Sequence, residues 1–353
     1  MDHGSRRAWT VVHGRQTTTT RYGFVMGKQG SNGHDAEARA EHEAFERCLE
    51  FVRDQMANDD AGVYGPGSLT WEIMREPCAL LAAPSAVLLQ LAHPAIADGV
   101  SRYSSFATDY AGRAKRTFTT MYDLVFGSKD QAFRASRGLH AMHCRIRGVV
   151  SEPGSPWDGK AYRANDQNLL RWVAVTLPVC VNEVFHTTVR PLSRGERERL
   201  YLEQRVGAAI VGVLPETMPA TLGEFEAWYA ATVRGPELHV GPKALALFEA
   251  LQAGKRRLWL RALSAAFLPP NVRDGYGLAW GKVERATFVA IVRTVRAANG
   301  ILPRELRATL AFHQGMSRIA NATGTNVSVL SRAAAALGRR FAIPSALSRT
   351  RVR

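Results

Sequence analysis

The sequence predicts an all-α fold, a single large helical domain, and three observations carry that expectation. Apolar residues recur at helical spacing over most of the chain from about residue 37 onward. Helix-start signatures, a Ser or Thr followed three residues later by Glu, stand at Ser193/Glu196 and Thr221/Glu224. There is no convincing run of alternating strands, no internal repeat and no linker that would separate two cores.

The elements follow in order. Residues 1 to 36 are polar and rich in Gly, Thr and His, and they read as an arm outside the packed domain. From Ala36 to Met56, the residues Ala44, Phe45, Leu49, Phe51 and Val52 recur at roughly helical spacing in a charged background, which predicts a surface helix. Tyr64-Gly65-Pro66-Gly67 breaks the chain, and Ser68 or Thr70 is positioned to cap a helix near Trp71. Between Pro77 and Val100 apolar residues cover almost every face, as in a segment surrounded by other helices. Residues 136–150 place Leu139, Met142, Ile146, Val149 and Val150 on one stripe, predicting an amphipathic helix that runs to Val150. Asn165 or Asp166 caps a long helix from about Gln167 to Val189, in which Pro178 predicts a kink. Further helices are expected after Ser193 and Thr221, over Pro242–Phe267 and over Glu284–Ala298, with a turn region at 214–221. The expected organisation is an arm over 1–36, a helical domain over 37–300 and a basic, partly helical extension over 301–353.

Composition bounds the function. A chain of 353 residues that is 46% hydrophobic can build a sizeable core. Its net charge of +15 invites a nucleic-acid or anionic-membrane reading. From Leu306 to Arg353 there is no acidic residue, whereas Arg307, Arg318, Arg332, Arg339, Arg340, Arg349, Arg351 and Arg353 are basic. Without interleaved aromatics for base stacking, that tail fits solvated surface or weak peripheral membrane contact better than specific nucleic-acid recognition. Cys48, Cys78, Cys144 and Cys180 lack the close pairing of zinc ribbons or redox motifs. The first forty residues lack the apolar core of a secretory signal, and the most apolar stretch, 78–92, is short for a membrane span. The expected location is cytoplasmic, with membrane association left open.

Several blocks then coincide in order. Residues 90–106 read Q-L-A-H-P-A-I-A-D-G-V-S-R-Y-S-S-F, and residues 112–127 read G-R-A-K-R-T-F-T-T-M-Y-D-L-V-F-G. They are followed by H-C-R-I-R-G at 143–148, Y-R-A-N-D at 162–166, Trp172-Val173, R-P-L-S at 190–193, residues 212–219, and Leu268-Pro269-Pro270 with Arg273. No single block is decisive, but their joint order, over about residues 66 to 285, resembles the family that holds the bacterial rubber oxygenases and a fungal mycophenolic acid pathway oxygenase. The resemblance implies a helix-lined pocket for a haem b, and O2-dependent oxidation of a hydrophobic small-molecule substrate. With no C-x-x-C-H run in the chain, the haem would be held non-covalently.

The resemblance also nominates residues. His143 matches the family's histidine downstream of its R-x-x-K-T motif, which makes it the candidate iron ligand. Its place four residues after Leu139 and three before Ile146 puts it on an apolar helical side, as a haem ligand requires. His140, one turn earlier, is the rival without a motif match. Arg113, Arg116 and Thr117 match the R-x-x-K-T positions, and spacings of three and four bring them to one helical face. The arginines suit propionate carboxylates and Thr117 suits a hydrogen bond to oxygen or water, so the three are the candidate catalytic residues. Arg116 stands where rubber oxygenases carry lysine, and a permanently protonated guanidinium does not readily ligate iron. His93, in the H-P pair, is a further cofactor-binding candidate or a helix cap before Pro94. Two other readings stay open: a haem-binding sensor or carrier without catalysis, and a di-iron carboxylate bundle, for which Glu183 and His186 supply a single Glu-x-x-His.

Overall fold

The computed structural model describes residues 31–56, 58–104, 109–252, 258–327, 329, 331–333 and 335–336. The arm expected over 1–36 lies outside these except for its last few residues. Two compact units divide the chain, Met1–Glu41 and His42–Arg353. Of the first, the structure describes only the opening of helix α1 (Ser31–Gln55), where residues 36–40 are exposed. Everything below concerns the second unit, which is all-α apart from one small hairpin.

Within it, the rest of α1 buries Phe45, Cys48, Leu49 and Val52, the apolar face anticipated from spacing. Ser68 caps α2 (Leu69–Met74), its hydroxyl accepting from the Trp71 N–H. The two preceding orphan amides, those of Leu69 and Thr70, donate instead to the Glu203 carboxylate at 3.0 and 2.7 Å. A short 3-10 segment, 77–82, leads into α3 (Ala83–Leu91), and the chain then turns through 107° into α4 (Pro94–Tyr103). The bend falls at His93, which is extended because the ring of Pro94 disfavours helical geometry before it.

α3 is the inner layer. α7 (Gln167–Thr188) crosses it, with the Trp172 indole donating to the Leu89 carbonyl at 3.2 Å and Gln90 donating to Thr176 at 3.0 Å. α11 (Leu258–Ala266) receives the Ser85 hydroxyl on the Leu263 carbonyl, and the buried Tyr276 hydroxyl donates to the Leu88 carbonyl. α7 is long and apolar enough to cross a membrane, and half of that window is buried inside the unit. A buried helix surrounded by other helices reads as apolar on every face for the same reason as a membrane span.

Capping boxes start α6 (Lys129–His143) at Ser128/Gln131, α8 (Arg194–Ile210) at Ser193/Glu196 and α9 (Leu222–Arg234) at Thr221/Glu224. Asp166, rather than Asn165, caps α7 by accepting from Asn168 and Leu169. The stretch expected as one helical pattern from Pro242 to Phe267 contains α10 (Pro242–Gln252) and α11, with 253–257 outside the described residues.

One expectation is corrected. The helix predicted to reach Val150 stops at His143, and residues 147–149 form strand β1, antiparallel to β2 (Ala161–Arg163). The strand alternates with period two instead: Ile146, Gly148 and Val150 turn inward, while Arg147 and Val149, the latter expected on the apolar stripe, are exposed. Gly148 settles the choice, because Tyr162 lies against it so closely that a Cβ would meet the phenol oxygen at 2.9 Å.

α5 (Tyr110–Phe126) and α6 form an antiparallel pair joined by Gly127 and Ser128. Gly62, with φ of +73°, presses on the Gly127 carbonyl, where any Cβ would clash with backbone. Gly62→Ala therefore combines left-handed strain with a backbone clash, and we expect a loss of about 2–4 kcal/mol in urea unfolding. A loss below about 1 kcal/mol would show that the turn yields freely.

At the C-terminal end, α13 (Lys282–Ile301) packs on α11 and α7, followed by the one-turn α14 (Arg304–Arg307) and α15 (Leu310–Thr323). Two arginines of the basic extension point inward rather than to solvent. Arg307 lies 3.2 Å from the buried Glu76 carboxylate, and Arg318 donates to the Phe126 carbonyl at 2.7 Å. Arg339, Arg340, Arg349, Arg351 and Arg353 lie outside the described residues.

Candidate functional site

His143 is the last residue of α6. Its ring is partly buried, and Nδ1 is shielded from solvent without a hydrogen bond of good geometry. Burial first, then the neighbouring His140, pushes its pKa down to about 4, although the Asn165 side chain beside it pulls the other way. The ring is therefore neutral at physiological pH, with one ring nitrogen offering a lone pair to a metal. A buried polar atom without a partner inside a folded domain calls for an explanation, and a missing ligand is one.

The hairpin that follows completes the surroundings. Ile146, three residues on, packs with Ala95, Val150, Tyr162, Leu169 and Trp157. His93 reaches the same hairpin from the other side, its ring centroid 4.5 Å from that of Trp157. It is buried, its Nδ1 accepts from the Ala95 N–H at 3.3 Å, and burial lowers its pKa to about 4 against the effect of its own backbone. His93 is thus the N-cap of α4 and a second neutral imidazole beside the hairpin.

Arg113, Arg116 and Thr117 lie on α5. α5 packs on α6, to which Gly127 and Ser128 join it. Arg113 is partly buried, whereas Arg116 and Thr117 are exposed. Arg116 sits 3.3 Å from Asp109, whose carboxylate also caps the helix by accepting from Gly112. Residues 105–108, which lead into α5 and include Phe106, lie outside the described residues.

The rival histidine has other contacts. His140 stacks on Phe45 at 4.0 Å with nearly parallel rings, and its Nε2 is 3.6 Å from the Cys144 sulfur. Asn165 donates to the same sulfur at 3.3 Å. The Glu-x-x-His pair on α7 is also engaged: His186 Nδ1 accepts from the Leu192 N–H at 2.9 Å, and Glu183 lies 3.7 Å from Arg197.

The sequence reading missed one cluster. Asp98, fully buried on α4, accepts from the Tyr162 hydroxyl at 2.8 Å, pairs with Arg102 at 2.7 Å and receives the Lys243 ammonium. Burial raises its pKa, but the donors Lys243, Tyr162 and Arg102 together outweigh it and hold the carboxyl below its usual range. Lys243 also donates to the Ser151 carbonyl, and its backbone N–H donates to the buried Glu152. This cluster ties α4, the hairpin and α10 together next to His93. A cleft of about 280 Å³ beside it is lined by Val100, Ser101, Ser104, Pro242, Lys243 and Ala246. That volume falls below the roughly 300 Å³ at which pockets for drug-sized ligands begin. One signal did exist in the sequence: Asp98 is the only charged residue between Cys78 and Val100.

Two neutral histidines, His93 and His143, thus lie beside a small hairpin in an all-α scaffold. The chain belongs to the family described as ER-bound oxygenase mpaB/B'/rubber oxygenase, catalytic domain, which matches residues 71–297. The match runs from α2 to the last turns of α13 and includes every candidate residue named above. Membership makes the chain an oxygenase-family enzyme. No curated protein and no solved structure matches it.

Proposed function

We propose that this chain is a haem b-dependent oxygenase that uses O2 on a hydrophobic small-molecule substrate, with His143 as the axial ligand to iron. The observation that carries the reading is the His143 ring: kept neutral by burial, with Nδ1 shielded from solvent. Neutral imidazole is the form that ligates haem iron. Bound haem would supply O2 activation, a chemistry that protein side chains alone do not provide.

The chain's own residues supply position and environment. His143 would hold the iron from the end of α6, where the capping box at Ser128 and Gln131 fixes the start of the helix. Arg113, partly buried on α5, suits a propionate carboxylate. Arg116 remains protonated and would act as a fixed charge beside Asp109, while the Thr117 hydroxyl can donate to water or to a substrate oxygen. His93 has Nδ1 committed to the α4 cap, so only Nε2 remains for contact with the cofactor. Apolar residues pack around the hairpin beside His93.

Purified protein produced with a haem supply should show a Soret band, and acidic organic extraction should remove the pigment because nothing attaches it covalently. A folded, haem-supplied preparation without Soret absorption would overturn the reading.

A further inference from the structure

α13 presents an exposed, largely apolar outward face. Val283, Ala286, Ala290, Arg293, Ala297 and Ile301 are all exposed. Their spacings of three and four place them on one side of the helix. The opposite side packs on α11 and α7, and no residue of α13 is fully buried. The stripe runs about 27 Å from Val283 to Ile301 at 1.5 Å per residue. At its end and beyond, large aliphatic side chains stay in solvent: Ile301 is 81% exposed, Leu302 47%, Leu306 56% and Leu310 48%. Four large aliphatic side chains in solvent within ten positions are what a soluble surface ordinarily avoids.

The charges around the stripe select its occupant. From Lys282 to Arg304 there are five basic residues and one acidic one, while Arg307 is turned inward onto Glu76. Arg285, Arg293 and Arg304 are exposed. The acidic one, Glu284, is committed to the helix start, accepting from the Gly281 N–H at 2.9 Å. A second copy of this chain, itself at +15, would set these arginines against their own equivalents. Nucleic acid would satisfy the arginines and leave the leucines in water, since the stripe offers no aromatic platform. An anionic lipid surface meets both demands, taking the aliphatic chains at the headgroup boundary and the arginines at the phosphates.

We propose that the α13 stripe, continued through Ile301, Leu302 and Leu306, is a docking face for an anionic lipid bilayer. The enzyme would lie on the membrane with α13 in the interfacial plane, without crossing it. A surface that holds hydrophobic compounds would then adjoin the protein directly.

Co-sedimentation tests the proposal with two vesicle types: phosphatidylcholine alone, and phosphatidylcholine with about one third phosphatidylserine. The full chain should sediment with the anionic vesicles and stay in solution with the neutral ones. The triple variant Ile301→Ser/Leu302→Ser/Leu306→Ser should partition at least about tenfold more weakly, and Arg293→Glu/Arg304→Glu should do the same. Thermal midpoints should stay within a few degrees of wild type, because these side chains are exposed. Undiminished binding by both variants would overturn the proposal and move the contact elsewhere in the chain. Self-association that the triple variant abolishes, without vesicle binding, would overturn it in favour of a second copy. None of these readouts involves haem, so failure here is distinguishable from failure of the oxygenase reading.

Discussion

His143→Ala is expected to lose haem while keeping its helix. Alanine is the better helix former by about half a kcal/mol, and His143 occupies the last turn of α6, so helicity should hold. The imidazole makes no hydrogen bond of good geometry at Nδ1, and Asn165 is the side chain beside it. The expected consequence is a fall in haem affinity of roughly a hundredfold or more, with a changed axial-ligand spectrum. Added imidazole should restore part of the spectrum by filling the space the side chain leaves. His140→Ala is the matched control, since His140 spends its ring on Phe45 and lies near the Cys144 sulfur. If His140→Ala loses the pigment and His143→Ala keeps its spectrum, the ligand lies one helical turn earlier.

Asp98→Ala should cost more stability than any other single change considered, about 3–5 kcal/mol at neutral pH. The carboxylate is fully buried and balances Lys243 and Arg102, so its removal leaves cations facing a site with no counter-charge. Lys243, partly exposed, has one escape toward the cleft, which limits the loss. The sign of the pH dependence follows from the direction of the shift. A carboxyl held below its unfolded value contributes its full stability above that value and loses it as pH falls through the folded one. Urea unfolding of wild type and Asp98→Ala should therefore converge in acid and diverge toward neutrality. A parallel pair of curves would mean that Asp98 does not carry the charge balance assigned to it. The double variant Asp98→Ala/Lys243→Met should recover part of the loss by removing both members of the pair.

The helices were legible wherever the signal is local. Ser193 with Glu196 and Thr221 with Glu224 announce capping boxes that the structure contains, because a cap involves groups three residues apart. The strand at Arg147–Val149 was not legible, because apolar residues at 146, 149 and 150 are spaced by three and four as on a helix, whereas the strand turns 146, 148 and 150 inward. The choice came from Tyr162, lying against Gly148 from fourteen residues away. The inward turn of Arg307 and Arg318 was hidden for a similar reason. Their partners, Glu76 and the Phe126 carbonyl, lie in a different part of the chain, and a run of arginines without acids resembles a solvated tail.

Motif order determined the family and nominated His143, His93, Arg113, Arg116 and Thr117. Periodicity and caps determined that the chain would be helical. These features act over a few residues, or reside in the order of the residues themselves, and survive without any knowledge of packing. Which of the nominated side chains end up buried was decided by tertiary structure alone. Arg113 and Arg116 share a helical face by spacing, yet one is partly buried and the other is exposed beside Asp109. The Asp98–Lys243 pair joins residues 145 positions apart. No local pattern encodes such a pair. A charge can be held in a core only where distant elements bring its counter-charge and hydrogen bonds to it, and that arrangement exists only once α4, the hairpin and α10 have packed.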